Sequence, residues 1–243
     1  MSTPHLSIVL PCYNEAGNIP LIFSRFREVI GAREDIEVVM VNNGSTDDSA
    51  EILAVEAARP ENAFARVETV DINQGYGYGI MSGVRAATGE FIAWTHADMQ
   101  TDPNDVLLGY EMLREAGEPG TVVLKGRRQN RALLDDFFTW GMAVISSIAL
   151  GARLDDINAQ PKMFHRRFLE KMASPPADFS LDLYFLYLAH KLGVPIVEQP
   201  VIFGERQHGE AKGGGTMKGK IKLIRRTLGY VFKLRSDIRH GSR

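Results

Sequence analysis

The segment Thr95-His96-Ala97-Asp98-Met99-Gln100-Thr101-Asp102-Pro103 carries the sharpest chemical signal in the chain. It closes the apolar run from Glu90 to Thr95. On an extended chain His96, Asp98 and Gln100 would project to one face. A carboxylate and an amide oxygen are hard ligands for Mg²⁺ or Mn²⁺, cations that such sites share with substrate phosphates. The same residues would equally make a solvated turn, with Asp102-Pro103 opening the next helix. Two more polar clusters follow apolar runs: Pro11-Cys12-Tyr13-Asn14-Glu15, and Asn42-Asn43-Gly44-Ser45-Thr46-Asp47, where Gly44 allows a tight turn. Each alone is also an ordinary loop with a helix cap. Arg127, Arg128 and Arg131 fall in the short stretch Gly126 to Arg131, and such a group of cations suits anionic substrates. A solvated basic loop has the same composition.

These clusters need elements to hold them. Leu6–Pro11, Ile36–Val41, Arg66–Ile72, Glu90–Thr95 and Thr121–Leu124 read as strands, β-branched and almost continuously apolar, as strands covered on both faces are. Helical stretches alternate with them: Asn18–Ile30, Asp47–Ala58, Gly75–Ala87 and Asn104–Ala116. Alternation of this kind predicts βαβ units and a mostly parallel sheet flanked by helices, with ligands beyond the carboxyl ends of the strands. The second half is less regular. Leu133–Leu150 and Ser180–Leu192 read as helices, and Val194–Phe203, interrupted by Pro195 and Pro200, as an edge strand. Gly213-Gly214-Gly215 reads as a hinge, dividing a catalytic domain (residues 1–215) from a basic tail (residues 216–243).

Composition narrows the classes. With 243 residues, 44% hydrophobic and 24% charged, the chain has enough apolar surface to build a core. A net charge of −2 argues against a bulk nucleic-acid binder. From Lys212 to Arg243, however, ten Lys and Arg face one acid, Asp237. There Ile221, Ile224, Leu228, Val231 and Leu234 recur at helical spacing among the cations, which predicts a basic amphipathic helix. Such a helix fits an anionic membrane surface, or its stripe packs on the domain with the charges outward; both readings stay open. The single Cys12 excludes an intrachain disulfide and a Cys-rich zinc site and favours a reducing compartment. Met1 to His5 lacks a basic start, so no signal peptide is expected, and no apolar run reaches spanning length. The expectation is a cytoplasmic chain, peripheral at the inner face of the membrane if the tail adsorbs, and compatible with a homo-oligomer.

Four segments occur in the order seen in family 2 glycosyltransferases: IVLPCYNEAGNI, VVMVNNGSTDDS, NQGYGYGIMSGVRAATGEFIAWTHADMQTDP and ERQHGEAKGGG. They look most like the dolichyl-phosphate-mannose-synthase-like branch, and the likeness runs from about residue 6 to residue 215. The resemblance implies a GT-A fold, a Rossmann-like α/β sheet with a nucleotide-sugar donor at its edge. It puts Pro11, Tyr13, Glu15 and Asn43 around the nucleoside, and Asp98 in the place of the metal-binding Asp of Asp-x-Asp. Gln100 resembles that branch's amide ligand, and Mg²⁺ or Mn²⁺ is the implied cofactor. Arg127 falls in the branch's acceptor loop near the donor diphosphate. The stretch from Arg206 to Lys212 resembles the segment that folds over the leaving diphosphate, with Arg206 as the cationic clamp. Asp182, eleven residues before Gly193, matches the Asp of the family's Glu-Asp pair, its general base.

The chain departs from the pattern in three places. Asn42 and Asn43 replace the usual acidic pair, His96 replaces the first Asp of Asp-x-Asp, and Leu181 replaces the Glu before the base. A neutral His96 could itself ligate the cation. The expected reaction is an inverting, metal-assisted displacement at the anomeric carbon, with a sugar hydroxyl or a lipid-linked group as acceptor in cell-surface polysaccharide or glycolipid synthesis. A hydroxyl needs Asp182 as base; a polyprenyl phosphate scarcely does. The rivals are a nucleotidyltransferase, for which a Gly-rich basic loop after the first strand is missing, and a non-catalytic nucleotide-sugar-binding protein.

Overall fold

A computed structural model of the chain describes residues 4–129, 133–204 and 217–239. Seven strands, β1 (Leu6–Cys12), β2 (Ile36–Asn43), β3 (Ala65–Val70), β4 (Phe91–Trp94), β5 (Val123–Gln129), β6 (Lys162–His165) and β7 (Ile196–Ile202), form one sheet. Among the described residues seven α-helices flank it: α1 (Ile19–Ile30), α2 (Ser49–Ala57), α3 (Tyr76–Ala86), α4 (Pro103–Glu115), α5 (Leu133–Leu150), α6 (Leu181–Lys191) and α7 (Met217–Arg239). The order across the sheet is β3-β2-β1-β4-β6-β5-β7. β1 runs parallel to both β2 and β4, with Leu6 opposite Ile36 on one side and Phe91 on the other. The chain leaves β1 toward β2 and β3 and then returns to β4 on β1's other side. That reversal opens a crevice at the carboxyl ends of β1 and β4, where open α/β sheets bind ligands.

Alternate side chains of the parallel strands enter two cores. Ile8, Leu10, Val38 and Met40 pack with Ile22, Phe23 and Phe26 of α1 and Val106, Tyr110 and Leu113 of α4. Val9, Val39, Val41 and Trp94 pack on the other face with Ile80 and Val84 of α3 and Phe185 of α6. Both faces being covered, the strands read as unbroken apolar runs.

Three expectations are revised. The strand expected over 121–124 runs from Val123 to Gln129, because β7 pairs with it in parallel from Val123 opposite Ile196 to Gln129 opposite Ile202. The polar residues Gly126–Gln129, expected in a loop, are therefore strand. β4 stops at Trp94 rather than Thr95. β6, which the sequence reading passed over, lies between β4 and β5 and is antiparallel to both. A Lys after a Pro hid it. β7 is the edge strand expected, and its position accounts for Pro200, which has no N–H to donate.

At the C-terminus, Thr227, Val231 and Leu234 of α7 are buried and α7 lies against α5. Part of the amphipathic stripe thus covers the domain, while Arg225, Arg226 and Lys233 are exposed. The side chains of Ile221 and Ile224, and the hinge Gly213–Gly215, lie outside what is described.

Lys162 of β6 is fully buried. Its ammonium donates to the carbonyl oxygens of Ile157 (3.0 Å) and Ala159, and lies 3.9 Å from Asp182 Oδ1. Burial pulls its pKa down to about 8, against the opposing pull of the Asp182 carboxylate. Between about 8 and the ordinary value near 10.4 the unfolded chain binds a proton that the folded chain lacks, so this group makes stability rise with pH across that window. The contribution is on the order of 3 kcal/mol. Urea unfolding of the wild type and Lys162→Met on either side of the window tests it: the wild type should gain on the variant as pH rises, and a pH-independent difference would refute the assignment.

Candidate active site

The loop after β4 is built by short-range hydrogen bonds. Met99 takes a left-handed turn (φ 58°), and Asp98 Oδ1 accepts the Gln100 backbone N–H at 3.1 Å. The Thr95 and Thr101 hydroxyls meet at 3.2 Å. Asp102 then caps α4, accepting the Asn104 N–H at 2.8 Å, and receives the Arg25 guanidinium at 3.0 and 2.9 Å. Asp102 is thus the cap expected of it. Asp98 is buried, with His96 and Gln100 half-buried beside it. A turn at Met99, rather than the period of an extended strand, shapes this segment.

Gln100 also anchors a distant segment. Its amide nitrogen donates to Gly204 O at 3.3 Å, and its own carbonyl accepts the Gly204 N–H at 2.8 Å. Arg206 and Lys212 lie outside the described residues. Among the described residues no three His, Cys, Asp or Glu side chains gather as a cation cage. A cation here would rest on the Asp98 carboxylate, the Gln100 amide oxygen and the His96 imidazole, completed by substrate phosphate, a donor set that suits Mn²⁺ or Mg²⁺. Burial lowers the His96 pKa, opposed by Asp98 and Asp182, and so favours the neutral ring that ligation requires.

Behind the loop lies a buried polar cluster. Asp182 opens α6 and is 1% exposed. Its Oδ1 accepts hydrogen bonds from Trp94 Nε1 (3.1 Å) and Gln160 Nε2 (2.9 Å). Gln160 Nε2 also donates to the Tyr76 hydroxyl at 3.2 Å, and its Oε1 is buried with no hydrogen-bond partner. The Tyr76 ring lies 6.1 Å from that of His96. Burial, then the Asp182 and Asp98 carboxylates, hold the Tyr76 phenol far above its usual pKa, so it stays protonated. Tyr76, Gln160, Lys162 and Trp94 escaped the sequence reading. The Gly-Tyr-Gly-Tyr-Gly run was the one signal for Tyr76, and nothing local marked the others.

At the neighbouring end of β1 and β2 the two loops are stitched together. Asn14 N–H donates to Ser45 Oγ (3.1 Å), Thr46 N–H to Asn14 Oδ1 (2.8 Å) and Glu15 N–H to Ser49 Oγ (2.8 Å). Gly44 sits at φ 68°, where an added Cβ would lie 2.3 Å from Asn73 N, so the turn requires glycine. Pro11 and Tyr13 are half-buried here, while Glu15 is buried and accepts from Asn18 Nδ2 at 2.6 Å. Asn43 is 3% exposed and its amide donates to Gly75 O at 3.1 Å, so it clamps the start of α3. On the far side, Arg128 pairs with Asp156 through Nε at 2.9 Å, and Arg127 lies 3.6 Å from Glu198. The cation cluster is thus partly neutralised within the fold; Asn130 and Arg131 lie outside the described residues.

The loops after β1 and β2 and the loop after β4 share one carboxyl edge of the sheet. The same fold recurs in solved structures. Glucosyl-3-phosphoglycerate synthase from Mycobacterium tuberculosis, in complex with Mn²⁺, UDP and glucosyl-3-phosphoglycerate, superposes with a TM-score of 0.71 at 17% identity, over 96% of this chain and 80% of that one. A mannosyltransferase from Pyrobaculum calidifontis, in complex with GDP-Man and Mn²⁺, gives 0.63 at 22% identity over 88% and 59%. These likenesses concern the fold. Among curated proteins, undecaprenyl-phosphate 4-deoxy-4-formamido-L-arabinose transferases from Photorhabdus laumondii and Aeromonas hydrophila are each 28% identical, over 85% and 86% of this chain. The chain spans 62% and 63% of their lengths. The model of Glycosyl transferase family 2 matches residues 7–193, from β1 to the end of α6, and the chain belongs to that family.

Proposed function

We propose that the chain transfers a glycosyl group from a nucleotide sugar to a polyprenyl-phosphate acceptor, with inversion at the anomeric carbon. The carrying observation is the state of Asp182, 1% exposed and already accepting from Trp94 and Gln160. A general base must reach the proton it removes. A phosphate acceptor is already anionic and makes no such demand, and the names of the undecaprenyl-phosphate relatives point to the same class. A phosphate oxygen forms the new bond to the anomeric carbon while the bond to the diphosphate breaks, its electron pair leaving with the nucleoside diphosphate. No proton need move.

In this reading Pro11, Tyr13 and Glu15 line the nucleoside end, with Asn43 and Gly44 shaping its floor. Asp98, Gln100 and neutral His96 would hold Mn²⁺ or Mg²⁺, which would neutralise charge growing on the diphosphate. Arg206, Lys212 and Arg127 supply further cations to the leaving group, and Asp182 orients Gln160 and Tyr76 beneath the site. Asp98→Ala should abolish transfer and the Mn²⁺-dependent part of nucleotide binding without loss of fold. Calorimetric titration of UDP and of GDP, each with and without Mn²⁺, checks it, and undiminished transfer by the variant would remove Asp98 from the mechanism.

Asp182→Asn separates the two acceptor classes, because Asn keeps an oxygen for Trp94 and Gln160 but cannot take a proton. With a polyprenyl-phosphate acceptor kcat should fall about tenfold or less, whereas loss of a general base costs roughly 10²–10⁴-fold. A loss of that larger size with donor Kd unchanged would restore Asp182 as the base and a hydroxyl as the acceptor.

We further propose that the chain meets its acceptor at an anionic membrane surface through α5 and α7. Among the described residues no helix is long and apolar enough to cross a membrane. Ile145 and Ile148 of α5 and Phe232 of α7 are exposed, as are the α7 cations Arg225 and Lys233. Each basic residue near such a surface adds roughly 1 kcal/mol, screened by salt. Arg225→Gln combined with Lys233→Gln should therefore weaken co-sedimentation with phosphatidylglycerol vesicles at low salt by about tenfold or more. Equal binding by variant and wild type would exclude these cations from the contact.

A further inference from the structure

The C-terminal helix is joined to the β4 loop by a continuous column of planar groups. Arg226 of α7 places its guanidinium carbon 5.2 Å from the centre of the Phe179 ring, and its Nε forms an ion pair with Asp178 Oδ2 at 3.3 Å. Phe179 stacks on Tyr76 with centroids 4.6 Å apart and planes 9° from parallel. Tyr76 in turn lies 6.1 Å from the His96 ring and holds Gln160 through its hydroxyl. A cation over an aromatic face and a stacked ring pair both fix ring orientation, since each prefers a narrow geometry.

The glycines of the Gly75-Tyr76-Gly77-Tyr78-Gly79 run explain why this column is rigid. The segment of residues 176–178 crosses the start of α3 at backbone contact: an added Cβ on Gly75 would sit 2.4 Å from Ala177 O, and one on Gly77 2.3 Å from Pro176 O. The Tyr78 N–H donates to Ala177 O at 2.9 Å. These glycines therefore seat the segment that presents Phe179 to Tyr76. Arg226 holds the same segment from the other partner, α7.

We infer that Arg226 is a positioning residue for the cation-binding end of the site, acting through Phe179 and Tyr76 on His96. The C-terminal helix is thereby a working part of the site. The inference rests on the reading of His96 as lying at that end, and it deepens it: a surface that engages α7 acts on the donor site through four side chains.

The test follows the His96 Cε1–H resonance in the full chain at constant pH, assigned by its disappearance in His96→Asn. Without metal, Arg226→Ala and Phe179→Leu should both displace the resonance, and Arg226→Lys, which keeps the cation, should restore it toward wild type. If Arg226 only pins α7 to the domain, Arg226→Ala leaves His96 unmoved, and that result overturns the inference. Should Arg226→Ala fail to fold, Phe179→Leu decides alone, and an unmoved His96 there overturns it equally. A Mn²⁺ titration then reads the consequence: paramagnetic broadening of His96 should need several-fold more Mn²⁺ in Arg226→Ala than in wild type, and equal requirements would overturn the functional half. If Mn²⁺ never broadens His96 in the wild type, the cation reading of the site fails, while the metal-free displacements still decide the column.

Discussion

A carboxylate removed from water must be met by donors, and much of the site is organised by how this chain satisfies Asp182. The donors come from separate elements: Trp94 from the end of β4, Gln160 from just before β6, with the Lys162 ammonium 3.9 Å away. Gln160 reaches on to Tyr76 at the start of α3. Removing any one partner would leave a buried polar group uncompensated. The cluster thus ties four elements of the fold to one another directly beneath the β4 loop.

That arrangement sets the electrostatics above it. Two residues before Asp98 the loop carries the His96 imidazole rather than a second carboxylate, and burial holds that ring toward neutrality. Cation affinity would then depend more on the substrate's phosphates than in a site with two acids. A cation bound mainly through the substrate would enter and leave with it, which would suit the proposed transfer, in which a nucleoside diphosphate leaves at each turnover. The buried Asp182 and the proposed anionic acceptor would be consistent in the same way, because neither would ask for a base. Membrane engagement by α5 and α7 would bring such an acceptor to the face of the domain from which the Arg226 column leads inward.

The parallel half of the fold and the polar loops at its edge were legible from residues alone. Continuous β-branched runs report strands covered on both faces, and loops such as Asn42–Asp47 and Thr95–Pro103 follow them directly, so β1, β2, β4 and their loop clusters could be located before any coordinates. The Asp182 helix start and the edge position of β7 were readable for similar local reasons: a carboxylate in a first turn, and prolines in a strand. The antiparallel half was not legible. β6 carries a buried lysine whose solvation comes from carbonyls of its own approach loop and a carboxylate on α6. The extension of β5 over Arg127 and Arg128 comes from pairing with β7, some seventy residues later in the chain. By itself, then, the sequence determined the strands and helices of the parallel half and which loops carry polar clusters, because those depend on short-range periodicity. Only the tertiary structure decided that a turn at Met99 shapes the segment from His96 to Gln100, that Asp182 is buried among donors, and that Arg226 reaches His96 through Phe179 and Tyr76. Each of these depends on which distant side chains desolvate one another, and no local pattern encodes that.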